Sequence, residues 1–105
     1  MSAIELQDHI HVYSMFSFKS GRKEAGIIFN KYNIHLSEIE YFFIPHFNMQ
    51  AYKSAFERYD RHACIELSEK IDIQDIISIR PVSLADYKII LELLNERNQI
   101  INSMH

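Results

Sequence analysis

The residues best suited to proton transfer and phosphate binding are grouped in one five-residue segment that contains Arg58, Arg61 and His62. On a helix these three side chains would lie on one side. Arginine suits phosphate, and histidine exchanges a proton near neutral pH. The group therefore predicts, as one alternative, a small metal-independent ribonuclease-like toxin. Asp60 and Glu57 would neutralise the arginines, so a solvated charged face is the competing interpretation.

A second pair with possible chemistry is His9 and His11, which lie two residues apart in a stretch of alternating apolar and polar residues. In a strand, side chains at i and i+2 point to the same face, so the pair could bind a divalent metal ion. Two histidines alone are a weak signal, and the favoured interpretation is solvent-facing histidines on an amphipathic strand. We expect no metal and no cofactor.

The chain lacks the sequence motifs of the common catalytic sites. Its single cysteine, Cys64, excludes an internal disulfide and a cysteine-based zinc site. Two glycines in 105 residues are too few for a P-loop or a dinucleotide-binding fingerprint. The absence of a convincing catalytic set favours binding over catalysis.

Charge and aromatic content indicate the kind of partner. The chain has a net charge of −3, and residues 36–105 carry seven bases against eleven acids, a net −4. Six Tyr and seven Phe supply potential interface anchors. We predict a small protein-binding protein, most concretely an inhibitor, immunity-type protein or antitoxin that covers the basic cleft of a nuclease-like toxin. The predicted partner-binding residues are Glu38, Glu40, Tyr41, Glu57, Tyr59, Asp60, Glu66 and Glu69.

A third interpretation is a phage or mobile-element regulator that binds a host protein or DNA. A helix-turn-helix over 22–33 and 36–44 would serve that role, but its second helix would carry no Arg or Lys for phosphate contacts. This argues against nucleic acid as the partner. The sequence has no apolar run of about 18 residues and no signal-peptide pattern, so we expect a cytoplasmic protein without membrane contact.

The elements that would position these residues follow from hydrophobic periodicity, which predicts the order β-α-β-α-β-β-α. Strands are predicted at 9–18, 36–45, 63–67 and 76–80, and helices at 20–33, from Asn48 to His62, and after Ser83 to residue 101. A short helix is the alternative at 36–45, because Ser37 and Glu40 could form a capping box.

These elements predict a single α+β domain spanning residues 1–105, with 3–4 strands in a mainly antiparallel sheet and three helices on one face. If residues 36–45 and 63–79 were helical, the chain would be all-α instead. Strand order and oligomeric state are left open. Apolar residues Ile100, Ile101 and Met104 exceed one helical face and would suit a homodimer contact through the C-terminal helix.

Overall fold

A computed structural model describes residues 1–83, so the predicted C-terminal helix and its homodimer contact lie outside the described residues. The described chain is α+β, as predicted, and its strands form one antiparallel sheet in the order β4-β3-β2-β1-β5. The strands are β1 Ser14–Phe18, β2 Lys23–Asn33, β3 Glu38–Pro45, β4 Glu69–Ile71 and β5 Ile76–Arg80. The α-helices are α1 Ala3–Leu6, α2 Met49–Glu57 and α3 Arg61–Leu67. Single 3₁₀ turns lie at Gln7–His9, His46–Asn48 and Ile73–Asp75. The sheet has five strands rather than 3–4, and the all-α alternative is wrong.

The sheet is strongly coiled. Its edge strands β4 and β5 are four positions apart, which would be about 19 Å in a flat sheet. The link from Ile71 to Ile76 spans at most about 18 Å when fully extended, and part of it is a 3₁₀ turn. Coiling also brings Arg22, between β1 and β2, to 2.7 Å from Glu69 in β4. The sheet therefore has an enclosed inner face and an outer face that is covered in part, by α2 and by packing around Met15 and Ala25.

The hydrophobic core fills the inner face. Phe16 and Phe18 alternate inward from β1, and their rings contact Phe43 of β3 at centroid distances of 5.1 and 5.5 Å. Helix α1 covers one end of this core with Leu6, which is fully buried. The buried core cluster consists of Leu6, Phe16, Phe18, Ile28, Phe43 and Ile76.

The helix predicted at 20–33 is wrong, because most of this segment is the long strand β2. Its apolar residues at helical spacing, including Ile28 and Phe29, lie on opposite faces of the sheet. Ile28 is fully buried in the inner core, whereas Phe29 packs against helix α2 on the outer face. A strand covered on both faces loses the apolar–polar alternation that identifies a half-buried strand.

Gly26 in β2 is required by close packing. It pairs with Pro45 in the register of β2 and β3. A Cβ atom on residue 26 would lie 2.7 Å from the Phe43 ring and would also collide with the Ile44 carbonyl oxygen. Glycine thus allows β3 to approach β2 closely at this position.

The strand predicted at 9–18 begins only at Ser14. His9 ends a 3₁₀ turn, and His11 has a φ of 65°, which belongs to a turn and not to a strand. The Val12 amide donates to the His9 carbonyl at 3.2 Å and closes this turn. The two histidines therefore do not share one face of a strand.

The helix predicted from Asn48 to His62 is interrupted, and the strand predicted at 63–67 is helical. Tyr59 has a φ of 59°. Its amide donates to the Phe56 carbonyl at 3.1 Å, and the Asp60 amide donates to the Ala55 carbonyl at 2.9 Å. These are the two bonds of a Schellman motif, which ends α2. Asp60 then caps α3 by accepting from the Ala63 amide at 3.1 Å.

Two predicted strands are confirmed. The segment 36–45 contains β3, which ends at Pro45, and the segment Ile76–Arg80 is β5, which is followed by Pro81. In both, a run of strand-forming residues ends at a proline that cannot donate a backbone hydrogen bond.

Candidate functional site

Strands β2 and β3 extend beyond the rest of the sheet as a two-stranded ribbon, residues 31–40. Strand β1 pairs with β2 only as far as Gly26, and β4 pairs with β3 only from Tyr41 to Phe43. The ribbon continues with Lys31 opposite Glu40 and Tyr32 opposite Ile39. In the described part of the chain, no third strand pairs with residues 31–40, and none of these residues is buried.

Apolar side chains are concentrated at the end of this ribbon. Tyr32 is 60% exposed, Ile34 74%, Leu36 59% and Ile39 53%. We call these four residues the apolar tip. Single exposed apolar residues are normal on soluble proteins, but a group of them marks an interaction surface.

The backbone of the apolar tip is fixed by Asn33. Its Oδ1 accepts hydrogen bonds from the amides of His35 at 3.0 Å and Leu36 at 3.2 Å. Its Nδ2 donates to Glu40 Oε1 at 2.8 Å. Ser37 completes the turn with a φ of 53°. These hydrogen bonds order the turn of the tip in the free chain.

Glu40 links the ribbon to the sheet edge. Lys70 Nζ of β4 lies 2.5 Å from Glu40 Oε2. Hydrogen bonds from Lys70 and Asn33 hold the pKa of the Glu40 carboxyl below its usual value. The same contact raises the pKa of Lys70. Glu40 was predicted as a partner-binding acid, and the structure places it in this internal contact.

Other members of the predicted acidic set also have internal partners. Glu69 receives two hydrogen bonds from Arg22, at 2.7 and 3.0 Å. Glu66 lies 2.9 Å from His62 on the same helix. Asp60 caps α3, and Tyr41 packs against the inner core.

The remaining members are exposed. Glu38 begins β3 beside the apolar tip, Glu57 ends α2, and Tyr59 is 92% exposed at the corner between α2 and α3. The eight predicted residues therefore belong to several parts of the fold: Glu38, Glu40 and Tyr41 to β3, Glu69 to β4, and the other four to the α2–α3 unit.

The three residues of the predicted catalytic alternative lie on both sides of the break between α2 and α3. Arg58 follows α2, whereas Arg61 and His62 open α3. Arg58 lies 3.9 Å from Asp60, and His62 pairs with Glu66. The three side chains therefore do not lie on one continuous helix as the sequence predicted.

The weak alternative of a metal site at His9 and His11 finds no further ligands among residues 1–83. Among residues 1–83, no group of three His, Cys, Asp or Glu side chains is arranged to hold a metal ion. In the same part of the chain, no helix has the length and apolar character needed to cross a bilayer.

Sequence reasoning missed the apolar tip, although its signal is present. Ile34, Leu36 and Ile39 surround a hairpin turn, where polar residues are usual. The sequence pattern places these residues after a helix predicted to end at Asn33 and in a strand predicted over 36–45, and so does not group them on one surface. Comparison with known proteins adds no assignment: the chain matches no protein-family model, and neither curated proteins nor solved structures show significant similarity to it.

Proposed function

We propose that this protein acts by binding another protein, with the apolar tip as its main contact. The observation that carries the proposal is the exposure of four large apolar side chains at the end of one ribbon. Burying such side chains against a partner contributes roughly 1.5–3 kcal/mol each when burial is complete. The Asn33 hydrogen bonds reduce the entropy lost on binding, because the turn is already ordered.

Glu38 beside the tip and the acidic balance of residues 36–105 support a basic partner, although Lys31 begins the same ribbon. Glu38 is exposed next to Ile39, and residues 36–105 carry a net charge of −4. Such a field accelerates association with a basic surface. The concrete form of the proposal is an inhibitor or immunity-type protein that inserts the tip into, or across, the basic cleft of a nuclease-like toxin.

The test is affinity capture from native cells with matched variants. Ile34→Ser together with Leu36→Ser removes two of the four apolar side chains of the tip, whereas Ile4→Ser removes an apolar side chain that is 83% exposed on α1. We expect the wild-type protein and the Ile4 variant to recover the same protein, and the tip variant to lose it. With that protein purified, the tip substitutions should weaken binding at least tenfold.

Two results would contradict the proposal. One is recovery of nucleic acid alone by the wild-type chain. The other is equal affinity of the tip variant and the Ile4 variant for the purified partner. A partner with an acidic surface would leave the protein-binding role intact and overturn only its inhibitor form.

A further inference from the structure

The outer face of the sheet carries an aromatic groove that the apolar tip does not use. Phe29 of β2 stacks on Phe42 of β3, with ring centroids 5.2 Å apart and planes at 17°. Tyr52 of α2 lies 5.9 Å from Phe29, and Phe56 lies 6.5 Å from Tyr52. We call the surface around these four rings the outer groove.

The outer groove has the size of a small-molecule site. It consists of two open depressions of about 550 and 650 Å³, which share Phe29, Lys31, Tyr52 and Phe56. Ligand sites commonly occupy about 300–1,000 Å³ and are mostly apolar with a few polar groups. Beyond the rings, the apolar walls are completed by Ile27, Ile44, Met49 and Ile65.

Cationic side chains border these apolar walls. Lys31 lines both depressions, Lys53 lines one and Arg61 lines the other. Among the ion pairs within residues 1–83, none involves these three side chains. Lys31 lies opposite Glu40 in the strand register and interacts electrostatically with its carboxylate, but Glu40 forms its hydrogen-bonded contact with Lys70.

Asp60 is the one acidic residue among the lining residues within 1–83, and it forms no ion pair with these three cations. Its Oδ1 accepts from the Ala63 amide at 3.1 Å, and its Oδ2 lies 3.9 Å from the Arg58 guanidinium. The groove therefore combines an apolar floor with a positive rim, although the chain as a whole carries a net −3.

Tyr52 adds a polar group to the floor. Burial, with a smaller contribution from Cys64, raises the pKa of the Tyr52 phenol above its usual value. The hydroxyl is therefore protonated at neutral pH and can donate a hydrogen bond to an anionic ligand.

We propose that the outer groove binds a small amphipathic carboxylate, with its alkyl chain against the four rings and its carboxylate at Lys31 and the neighbouring cations. The charge of the rim selects an anion, and the aliphatic walls select an alkyl chain. A nucleic acid fits less well, because bases stack on aromatic faces whereas half of these walls are aliphatic. The negative net charge of the chain would also repel a polyanion.

The test measures decanoate binding to the full chain by isothermal titration calorimetry, below the concentration at which decanoate forms micelles. Decanol is the neutral probe of the same chain length. The charge variant is Lys31→Gln with Lys53→Gln, and its control is Lys23→Gln, an exposed lysine of β2 that does not line the groove. The floor variant is Phe56→Ser, whose side chain is 66% exposed, so folding should tolerate the change.

We expect one decanoate per chain, at least fivefold weaker binding by both groove variants, and unchanged binding by the Lys23 variant. Decanol should bind more weakly than decanoate and be insensitive to the lysine substitutions. Thermal melting of each variant distinguishes lost binding from lost folding.

Four results would overturn the proposal: no binding of decanoate to the full chain; equal binding of decanoate by the groove and control variants; decanol binding as tightly as decanoate; or tighter binding of a short oligothymidylate at the same residues. A change from dimer to monomer on Phe56→Ser, measured by sedimentation without decanoate binding, would instead assign the groove to a second copy of the chain.

Discussion

Arg22, which lies between β1 and β2, joins segments 47 residues apart through its contact with Glu69 of β4. Its Nε donates to Glu24 at 2.6 Å, and its two terminal nitrogens donate to Glu69 at 2.7 and 3.0 Å. Its guanidinium also lies 5.6 Å from the ring centroids of Phe18 and Phe43. The hydrogen bonds with Glu69 are the main cause of the raised pKa of Arg22.

Replacing Arg22 with lysine tests whether this geometry, rather than charge alone, stabilises the fold. Lysine keeps the positive charge but cannot form the two-pronged contact with Glu69. Because the Arg22 side chain is 38% exposed, solvent screens the interaction, and we expect the free energy of unfolding to fall by about 1 kcal/mol. Urea denaturation measures the loss.

The matched control is Lys23→Arg at the adjacent exposed position, which should leave the urea midpoint unchanged. Equal midpoints for the wild-type protein and the Arg22→Lys variant would show that the contact contributes nothing measurable.

At the scale of elements, the Lys70–Glu40 contact joins the ribbon to β4. Its contribution depends on pH. The folded pKa of Glu40 is lowered, so the stability it provides is present above the ordinary pKa of glutamate, about 4.3, and is lost as the pH falls through the folded value. The folded pKa of Lys70 is raised, so the stability it provides is fully present below the ordinary pKa of lysine, about 10.4, and is lost as the pH rises through the folded value.

Replacing Glu40 with Gln should therefore reduce the fall in the free energy of unfolding at acid pH. We expect the wild-type protein to be more stable than the variant near neutral pH, and the difference to shrink as the pH falls below about 4. Urea midpoints measured across this range provide the comparison. For Glu38→Gln, at an exposed position of the same strand, the urea midpoint should change with pH more nearly as it does for the wild-type protein. If the urea midpoints of the wild-type protein and Glu40→Gln change in parallel with pH, the Lys70–Glu40 contact provides no pH-dependent stability.

The elements also show which parts of the fold the sequence could predict. Strands β3 and β5 were predicted because strand-forming residues end at Pro45 and Pro81. Strand β2 was missed because both of its faces are covered, which hides the period of two. The break between α2 and α3 was missed because Tyr59 occupies the left-handed position where glycine is the usual signal.

The candidate site was less predictable for a different reason. Composition identifies acids and aromatics but not their partners. Glu69 is 47 residues from Arg22, and Glu40 contacts Lys70 through a strand pairing that joins distant segments. Exposure of the apolar tip likewise depends on where β1 and β4 stop pairing, which is set by the register of the whole sheet.

At the scale of the whole molecule, the coiled sheet places the residues that stabilise the fold and the residues proposed to bind partners on different surfaces. The inner face is filled by the phenylalanine-rich core, whereas the outer groove and the apolar tip retain exposed apolar groups. Substitutions at Ile34 or Phe56 should therefore alter binding with little effect on folding. The core also depends on α1, because Leu6 of that helix is fully buried in the core cluster.

Leu6→Ala tests this dependence on α1. Leu6 is fully buried against the core, and its truncation leaves a cavity that a coiled sheet cannot easily collapse. We expect the free energy of unfolding to fall by about 3 kcal/mol. Ile4→Ala, in the same helix but 83% exposed, should change it by less than about 0.5 kcal/mol. Similar losses for the two variants would show that α1 contributes through helix formation alone. A loss confined to Leu6 would show that the helix acts by closing the core, since only that side chain reaches it.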